Sequence, residues 1–158
     1  IDIPAGVTSE NFMTLRGEGN SGPQGGPRGD VIVLMDVEED ERFVRDGPHI
    51  RMELPITFSQ AALGDEVEVA TIDGSIRLTI PQGVQSGEVL RLRGRGLPEL
   101  NSTRRGDQLI RVMIWTPQRL DSEQEEAMRA LRDVEDEAPD QVGEAGKSFW
   151  SRVREAFS

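Results

Sequence analysis

The chain has 158 residues, 35% of them hydrophobic and 30% charged, with a formal net charge of −11 and no cysteine. That length and apolar content suit one domain or two small ones with modest cores, and the charge argues against a nucleic-acid backbone or an anionic membrane as the main partner, since either repels it at long range. Without cysteine there is no disulfide, thiolate zinc site or cysteine nucleophile, and no apolar run approaches the roughly 18 residues of a membrane span.

Taken in chain order, Ile1 to Val7 (IDIPAGV) reads as a strand already under way, the expectation for a piece cut from a longer chain. Leu15 to Gly22 (LRGEGNSG) contains G-x-G-x-x-G, the spacing of a dinucleotide-binding loop. Such a loop needs a helix behind it, because the pyrophosphate sits on the helix N-terminus. Here Pro23, Gly25, Gly26, Pro27 and Gly29 follow; two prolines and three glycines forbid a regular helix, so the motif reads as a glycine-rich turn. Val31 to Val37 is apolar enough for a central strand. The run Glu38-Glu39-Asp40-Glu41 is read as a solvated face. Phe43 then stands in ERFVRD, a charged junction where a core does not need a phenylalanine, and is either an interdomain plug or part of an apolar surface pocket.

Asp46-Gly47 signals a tight turn, and His49 behind it reads as an exposed turn residue with no Ser or Cys nearby in sequence to complete a nucleophilic set. Arg51 to Ile56, Glu66 to Ala70, Ile76 to Ile80 and, in part, Val89 to Arg93 alternate polar and apolar residues, the pattern of half-buried strands. Between them Ser59 to Gly64 reads as one helical turn stopped by glycine, and Asp73-Gly74 as a hairpin turn. Arg91, Arg93, Arg95, Arg104 and Arg105 cluster without the interleaved aromatics of a nucleic-acid surface. Leu109 to Trp115 is a second strand apolar enough to be central. After Pro117 the character changes: Asp121 or Ser122 caps a helix, with Ser122-x-x-Glu125 fitting a capping box, and Ala127, Met128, Leu131 and Val134 fall on one face. Glu135 to Gly146 reads as a flexible linker. From Lys147 a second amphipathic helix follows, with Phe149, Trp150, Val153 and Phe157 on one stripe. It is too short to be stable alone, so its apolar side chains need either the chain's own sheet or a second copy of the chain.

A repeat organises these elements. Ile3-Pro4-Ala5-Gly6-Val7 returns as Ile80-Pro81-Gln82-Gly83-Val84, Leu15-Arg16-Gly17-Glu18-Gly19 as Leu92-Arg93-Gly94-Arg95-Gly96, and Gly29-Asp30 as Gly106-Asp107, each 77 residues on. A fixed period means duplicated structural units. The second copy replaces Asn20-Ser21-Gly22 by Leu97-Pro98-Glu99, so the third glycine of the opening motif is not shared, and what repeats is a strand, a glycine turn, a variable loop and a Gly-Asp that opens the next strand.

The blocks IPAGV, LRGEG, FVRDG, LPITFSQAALGDEVEVATIDG, LTIPQGVQSG, LRLRGRG and GDQLIRV, in that order, resemble the carboxy-terminal half of the bacterial DnaJ family of J-domain co-chaperones, and KSFW-x-x-V-x-x-x-F is similar to that family's terminal segment. The resemblance implies a mainly β fold of two tandem β-sandwich-like domains, the first truncated (1–45, then 46–118), followed by a helical dimerisation tail over 119–158. It implies a cytoplasmic homodimer, not an enzyme, that holds unfolded client polypeptides for a DnaK-type ATP-driven chaperone in protein folding and stress response. It places client contacts at Phe43, in the matching F-x-R-D-G context, and at Ile3 and Val7, and subunit pairing at Met128, Leu131, Phe149, Trp150, Val153 and Phe157. The sequence has no His-Pro-Asp and no Cys-x-x-Cys, so no stimulation of a partner ATPase and no zinc or other cofactor is expected of this chain; the family's zinc-binding insertion lies upstream of Ile1 or is missing from the parent. The competing expectation is a structural dimerisation module without client affinity.

Overall fold

Polar and apolar alternation becomes strand in most places where the sequence carries it. The computed structural model describes residues 1–139, and among them the elements run β1 (Phe12–Leu15), β2 (Val31–Leu34), β3 (Val44–Asp46), β4 (His49–Ile56), α1 (Phe58–Leu63), β5 (Asp65–Thr71), β6 (Gly74–Ile80), β7 (Val89–Leu92), β8 (Gln108–Ile114) and α2 (Ser122–Arg132). The fold is therefore mainly β, with β1 and β2 paired antiparallel, β5 and β6 paired, and a four-stranded sheet in the order β3-β4-β8-β7. The chain forms two compact units. One comprises Ile1–Glu53, Glu68–Arg77 and Leu90–Ile110; the other comprises Leu54–Val67, Leu78–Val89 and the described residues from Arg111 onward.

The first unit buries Ile50, Val69 and Ile110 together with the polar Thr71, Asp107 and Gln108. Gln108 is tied in by its side-chain amide, which donates to the Ala70 carbonyl at 2.8 Å. The second unit buries Ile56, Ala61, Leu78, Ile80, Val84 and Val112. Its helix α1 starts at Thr57, whose hydroxyl accepts from the Gln60 amide while the Gln60 side chain accepts from the Thr57 amide, and stops at Gly64 with φ +78, a conformation that glycine adopts without steric cost.

The 77-residue repeat is written in hydrogen bonds. The Gly17 amide donates to the Asp30 carboxylate at 2.9 Å and the Gly94 amide to the Asp107 carboxylate at 2.7 Å. Gly19 N–H reaches the Gly29 carbonyl at 2.7 Å as Gly96 N–H reaches that of Gly106 at 2.9 Å, and Gly29 and Gly106 donate back to Asn20 and Leu97 at 3.0 and 2.9 Å. The glycine turn of LRGEG is thus a clasp closed on the following Gly-Asp. The only helical feature behind it is a short 3-10 turn at Pro23–Gly25, which offers no phosphate site.

The two clasps differ in setting. Asp107 is buried and also accepts from Arg91, whose Nε lies 2.7 Å away, whereas Thr14 stands at the position equivalent to Arg91 and Asp30 is exposed. The Gly94 amide, joined by the Arg91 guanidinium and opposed by burial, holds the Asp107 carboxyl below the usual carboxylate range. A carboxyl lowered on folding contributes stability that is complete above its unfolded value and is lost as pH falls through the lowered one. Asp107→Asn is therefore expected to be less stable than the parent at neutral pH and to lose less on acidification. Urea midpoints between pH 7 and pH 2 measure both, and parallel curves for the two proteins would contradict the assignment.

Several expectations are corrected. Ile1–Val7 forms no strand: its repeat partners Leu78–Ile80 are held by β5, and residues 1–7 have no pairing strand among the described residues. Strand β2 ends at Leu34 and is not central. It pairs only with β1 and leaves Ile32 and Leu34 65% and 79% exposed, whereas its counterpart β8 is flanked by β4 and β7 and buries Ile110 and Val112. The β5–β6 turn falls on Ile72 and Asp73, with Gly74 opening β6 at φ +134. At α2 the capping box is Asp121 with Gln124, not Ser122 with Glu125. His49 is half-buried at the start of β4, and its Nδ1 accepts from the Asp107 amide at 2.9 Å.

Candidate functional site

The charged junction around Phe43 forms one side of a cleft of about 770 Å³ within the first unit, lined by Thr8, Ser9, the whole run from Val37 to Arg45, Ile50, Thr71, Ile72 and Leu97. Its floor is apolar: Ile50 is buried, and Phe43 and Leu97 are half-buried. Ile72 and Val37 stand 40% and 41% exposed around it and extend the apolar surface of the cleft towards solvent.

The local sequence explains why Phe43 is presented there. Asp40 closes an Asx turn in which its carboxylate accepts from the Arg42 backbone amide at 2.8 Å and from the Arg42 guanidinium at 3.0 and 2.9 Å. These bonds hold the Asp40 carboxyl down at about 2. The same guanidinium lies 5.1 Å from the centroid of the Phe43 ring, a cation–π distance, so the turn, the ion pair and the ring form one assembly. At the other end of the loop the Val37 amide donates to the Ser9 hydroxyl at 2.9 Å.

Behind Phe43 the chain becomes β3, at the edge of the four-stranded sheet. Arg45 in this strand donates to the carbonyls of Gly6, Val7 and Gly47 at 2.9, 2.8 and 3.1 Å. Gly6, at φ +91, lies so close to the loop at Pro98–Leu100 that a β-carbon would stand 2.4 Å from the Pro98 carbonyl oxygen. The IPAGV turn is thereby pinned beside the cleft without lining it.

Phe43 is accordingly the one expected client residue that the cleft contains. Val7 is half-buried and contributes its carbonyl to Arg45, and Ile3 is exposed outside the lining. Met128 and Leu131 lie on α2, which has no buried residue; Met128 is exposed and Leu131 half-buried. Phe149, Trp150, Val153 and Phe157 lie outside the described residues. Sequence reasoning missed Ile50, Ile72 and Leu97, which reach the cleft from distant segments. Ile72 carried a signal, an isoleucine at a hairpin turn where polar residues are usual. Among the described residues no group of three or more His, Asp or Glu stands where it could hold a metal ion, and no helix is long and apolar enough to cross a membrane.

Residues 1–117 match the family model described as the DnaJ C terminal domain. The chain is similar along its whole length to a "Chaperone protein DnaJ" of Salinibacter ruber, at 45% identity covering 100% of this chain and 41% of that protein. Proteins of the same description from Brevibacillus choshinensis and Clostridioides difficile are 43% and 40% identical, each matched over 99% of this chain and 42% and 40% of their own length. The chain thus spans about two fifths of the curated relatives it matches.

Proposed function

We propose, because the chain belongs to the DnaJ C-terminal domain family, that its cleft holds extended apolar segments of unfolded polypeptides, for delivery to a DnaK-type ATP-driven chaperone in cytoplasmic protein folding and stress response. The observation that carries this reading is Phe43, half-buried with Ile50 and Leu97 in an apolar floor that Ile72 borders, and adjoining the edge strand β3. An unfolded segment offers what such a site can use: apolar side chains for the floor and unpaired backbone groups for a strand edge. The chemistry asked of the site is reversible holding, without turnover. Phe43 is the central contact, with Ile3 and Val7 as flanking candidates on the adjoining segment.

The reading extends to assembly. The repeat copies act as successive domains over 1–45 and 46–118, and residues 119–158 pair two chains. The exposed Met128 on α2 supports this, since an 11-residue helix with no buried residue gains little from its own chain. Phe149→Asp combined with Trp150→Asp is expected to convert a dimer into a monomer, because charge would be forced into an apolar contact. Light scattering reads the mass, and a persistent dimer would place the pairing elsewhere.

Client holding is tested by fluorescence-anisotropy titration of a labelled, extended, leucine-containing peptide with the chain. Saturable binding is the expected result. A dimer that leaves the peptide free at every protein concentration would sink the holding role and leave a structural pairing module.

A further inference from the structure

The cleft draws its lining from both copies of the repeat, Thr8, Ser9 and Val37 from the first and Ile50, Ile72 and Leu97 from the second. The two sets are joined by the close approach of Gly6 to Pro98–Leu100 and by Arg45. Arg45 stands directly across the β3–β4 pair from Ile50, so its side chain leaves the sheet on the face of that floor residue. Its three guanidinium nitrogens each donate to a carbonyl, Nη1 to Val7 at 2.8 Å, Nη2 to Gly6 at 2.9 Å and Nε to Gly47 at 3.1 Å. Val7 leads directly into Thr8 and Ser9, and the Ser9 hydroxyl in turn accepts from the Val37 amide at 2.9 Å. A side chain on the strand pair that carries the floor thereby grips the turn from which the first-copy part of the lining departs.

The second copy of that turn shows what Arg45 supplies. There Val84, the counterpart of Val7, is buried, the Gly83 amide donates to the Ala61 carbonyl at 2.8 Å, and the Gly83 carbonyl accepts from the side chain of Gln85 at 2.9 Å. That turn is held by its own helix and its own neighbours in sequence. In the first copy Val7 is only half-buried, and the carbonyls of Gly6 and Val7 are taken by a residue 39 and 38 positions on. We propose that Arg45 is the positioning residue of the cleft: its fork fixes where Thr8, Ser9 and Val37 stand relative to Ile50, and so sets the width that an extended apolar segment fills. The proposal rests on the client-holding reading and deepens it. The acceptors are neutral carbonyls, so the guanidinium keeps its charge, and the planar fork with its fixed N–H directions does the positioning. Without the fork the turn samples other positions, only a fraction of the molecules has the competent width, and the apparent affinity falls by that fraction.

The test reads geometry and holding separately. Because the sequence has no cysteine, Glu10→Cys and Arg77→Cys, both exposed and one in each copy, give two unique sites for spin labels. Pulsed electron paramagnetic resonance measures the distance between them without peptide, in the parent and in Arg45→Gln and Arg45→Lys. A narrow distribution is expected for the parent and a broadened one for Arg45→Gln; Arg45→Lys, which keeps the charge but not the fork, should stay close to Arg45→Gln. In the unlabelled proteins, compared at equal folded concentration taken from urea curves, the leucine-containing peptide should bind either variant about 3–10-fold more weakly, the loss for a competent fraction of about a third to a tenth. A residue that only stabilises the fold would lower the urea midpoint and leave the distances and the affinity of folded molecules unchanged, and that result would overturn the proposal. Recovery of both readouts by Arg45→Lys would assign the effect to charge and overturn it, as would a broadened distribution with undiminished binding. A parent that binds no peptide would remove the client-holding reading instead, while the distances would still decide whether Arg45 fixes the lining.

Discussion

Gly106→Ala is expected to lower stability by about 3–5 kcal/mol, the upper range for forcing an atom into close-packed structure, against a total of roughly 5–15 kcal/mol for a domain of this kind. A β-carbon on Gly106 would lie 2.0 Å from the Pro48 carbonyl oxygen, 2.3 Å from its carbon and 2.8 Å from the His49 nitrogen, all backbone atoms that no rotamer change can move. The Pro48 carbonyl also accepts from the Leu97 amide at 2.8 Å, and Gly106 is bonded to Leu97 and Gly96. Three backbones therefore pass at contact distance where the second glycine clasp meets the β3–β4 turn, and separating them breaks the clasp. Gly94→Ala is the matched control. Its φ of +67 disfavours alanine, but nothing stands within 4 Å of the new atom, so the cost is about 1–2 kcal/mol. Urea unfolding of both measures the difference, and two similar small losses would show that the crossing is looser than described.

Phe43→Ala is expected to weaken peptide binding by tenfold or more, since an aromatic anchor at the centre of a desolvated contact is worth about 2 kcal/mol or above and 1.4 kcal/mol is a factor of ten. Half-burial of the ring keeps its contribution to folding smaller, about 1–2 kcal/mol, so the variant should still unfold cooperatively. Phe43→Leu, which keeps apolar area but gives up the ring beneath Arg42, should recover much of the affinity. Wild-type affinity in Phe43→Ala would remove Phe43 from the site, and an affinity loss matched by unfolding in both variants would make it a structural residue.

How far the sequence carried this reading depended on the range of the forces involved. Alternation marked β4, β5 and β6 because burial on one face is a local pattern. The 77-residue landmarks mattered most: Gly17 and Gly94, Gly19 and Gly96, and Gly29 and Gly106 turned out to be ends of matched hydrogen bonds, which settled the G-x-G-x-x-G as a clasp. Apolarity alone misjudged Val31 to Leu34, because it says that a strand prefers cover without saying which neighbour supplies it. Ile1 to Val7 failed as a strand for the same reason, a ladder needing a partner. His49 looked free until Asp107, 58 residues away, donated to it. The acidic run at 38–41 looked like an ordinary solvated face, and only its position around Ile50, Ile72 and Leu97 made it the border of a cleft. Phe43 was legible because a phenylalanine among charges is costly to expose; its companions were not, because no local rule brings residues 50, 72 and 97 together.

The central claim, that the cleft at Phe43 is where polypeptide is held, is most directly tested by photo-crosslinking an extended leucine-containing peptide that carries a photoreactive group at its centre, followed by mass-spectrometric location of the adducts. The account predicts adducts concentrated on Val37, Phe43, Ile72 and Leu97 and competed away by unlabelled peptide. Competed adducts confined to Phe12, Ile32 and Leu34, the exposed apolar face of the β1–β2 ribbon, would contradict it.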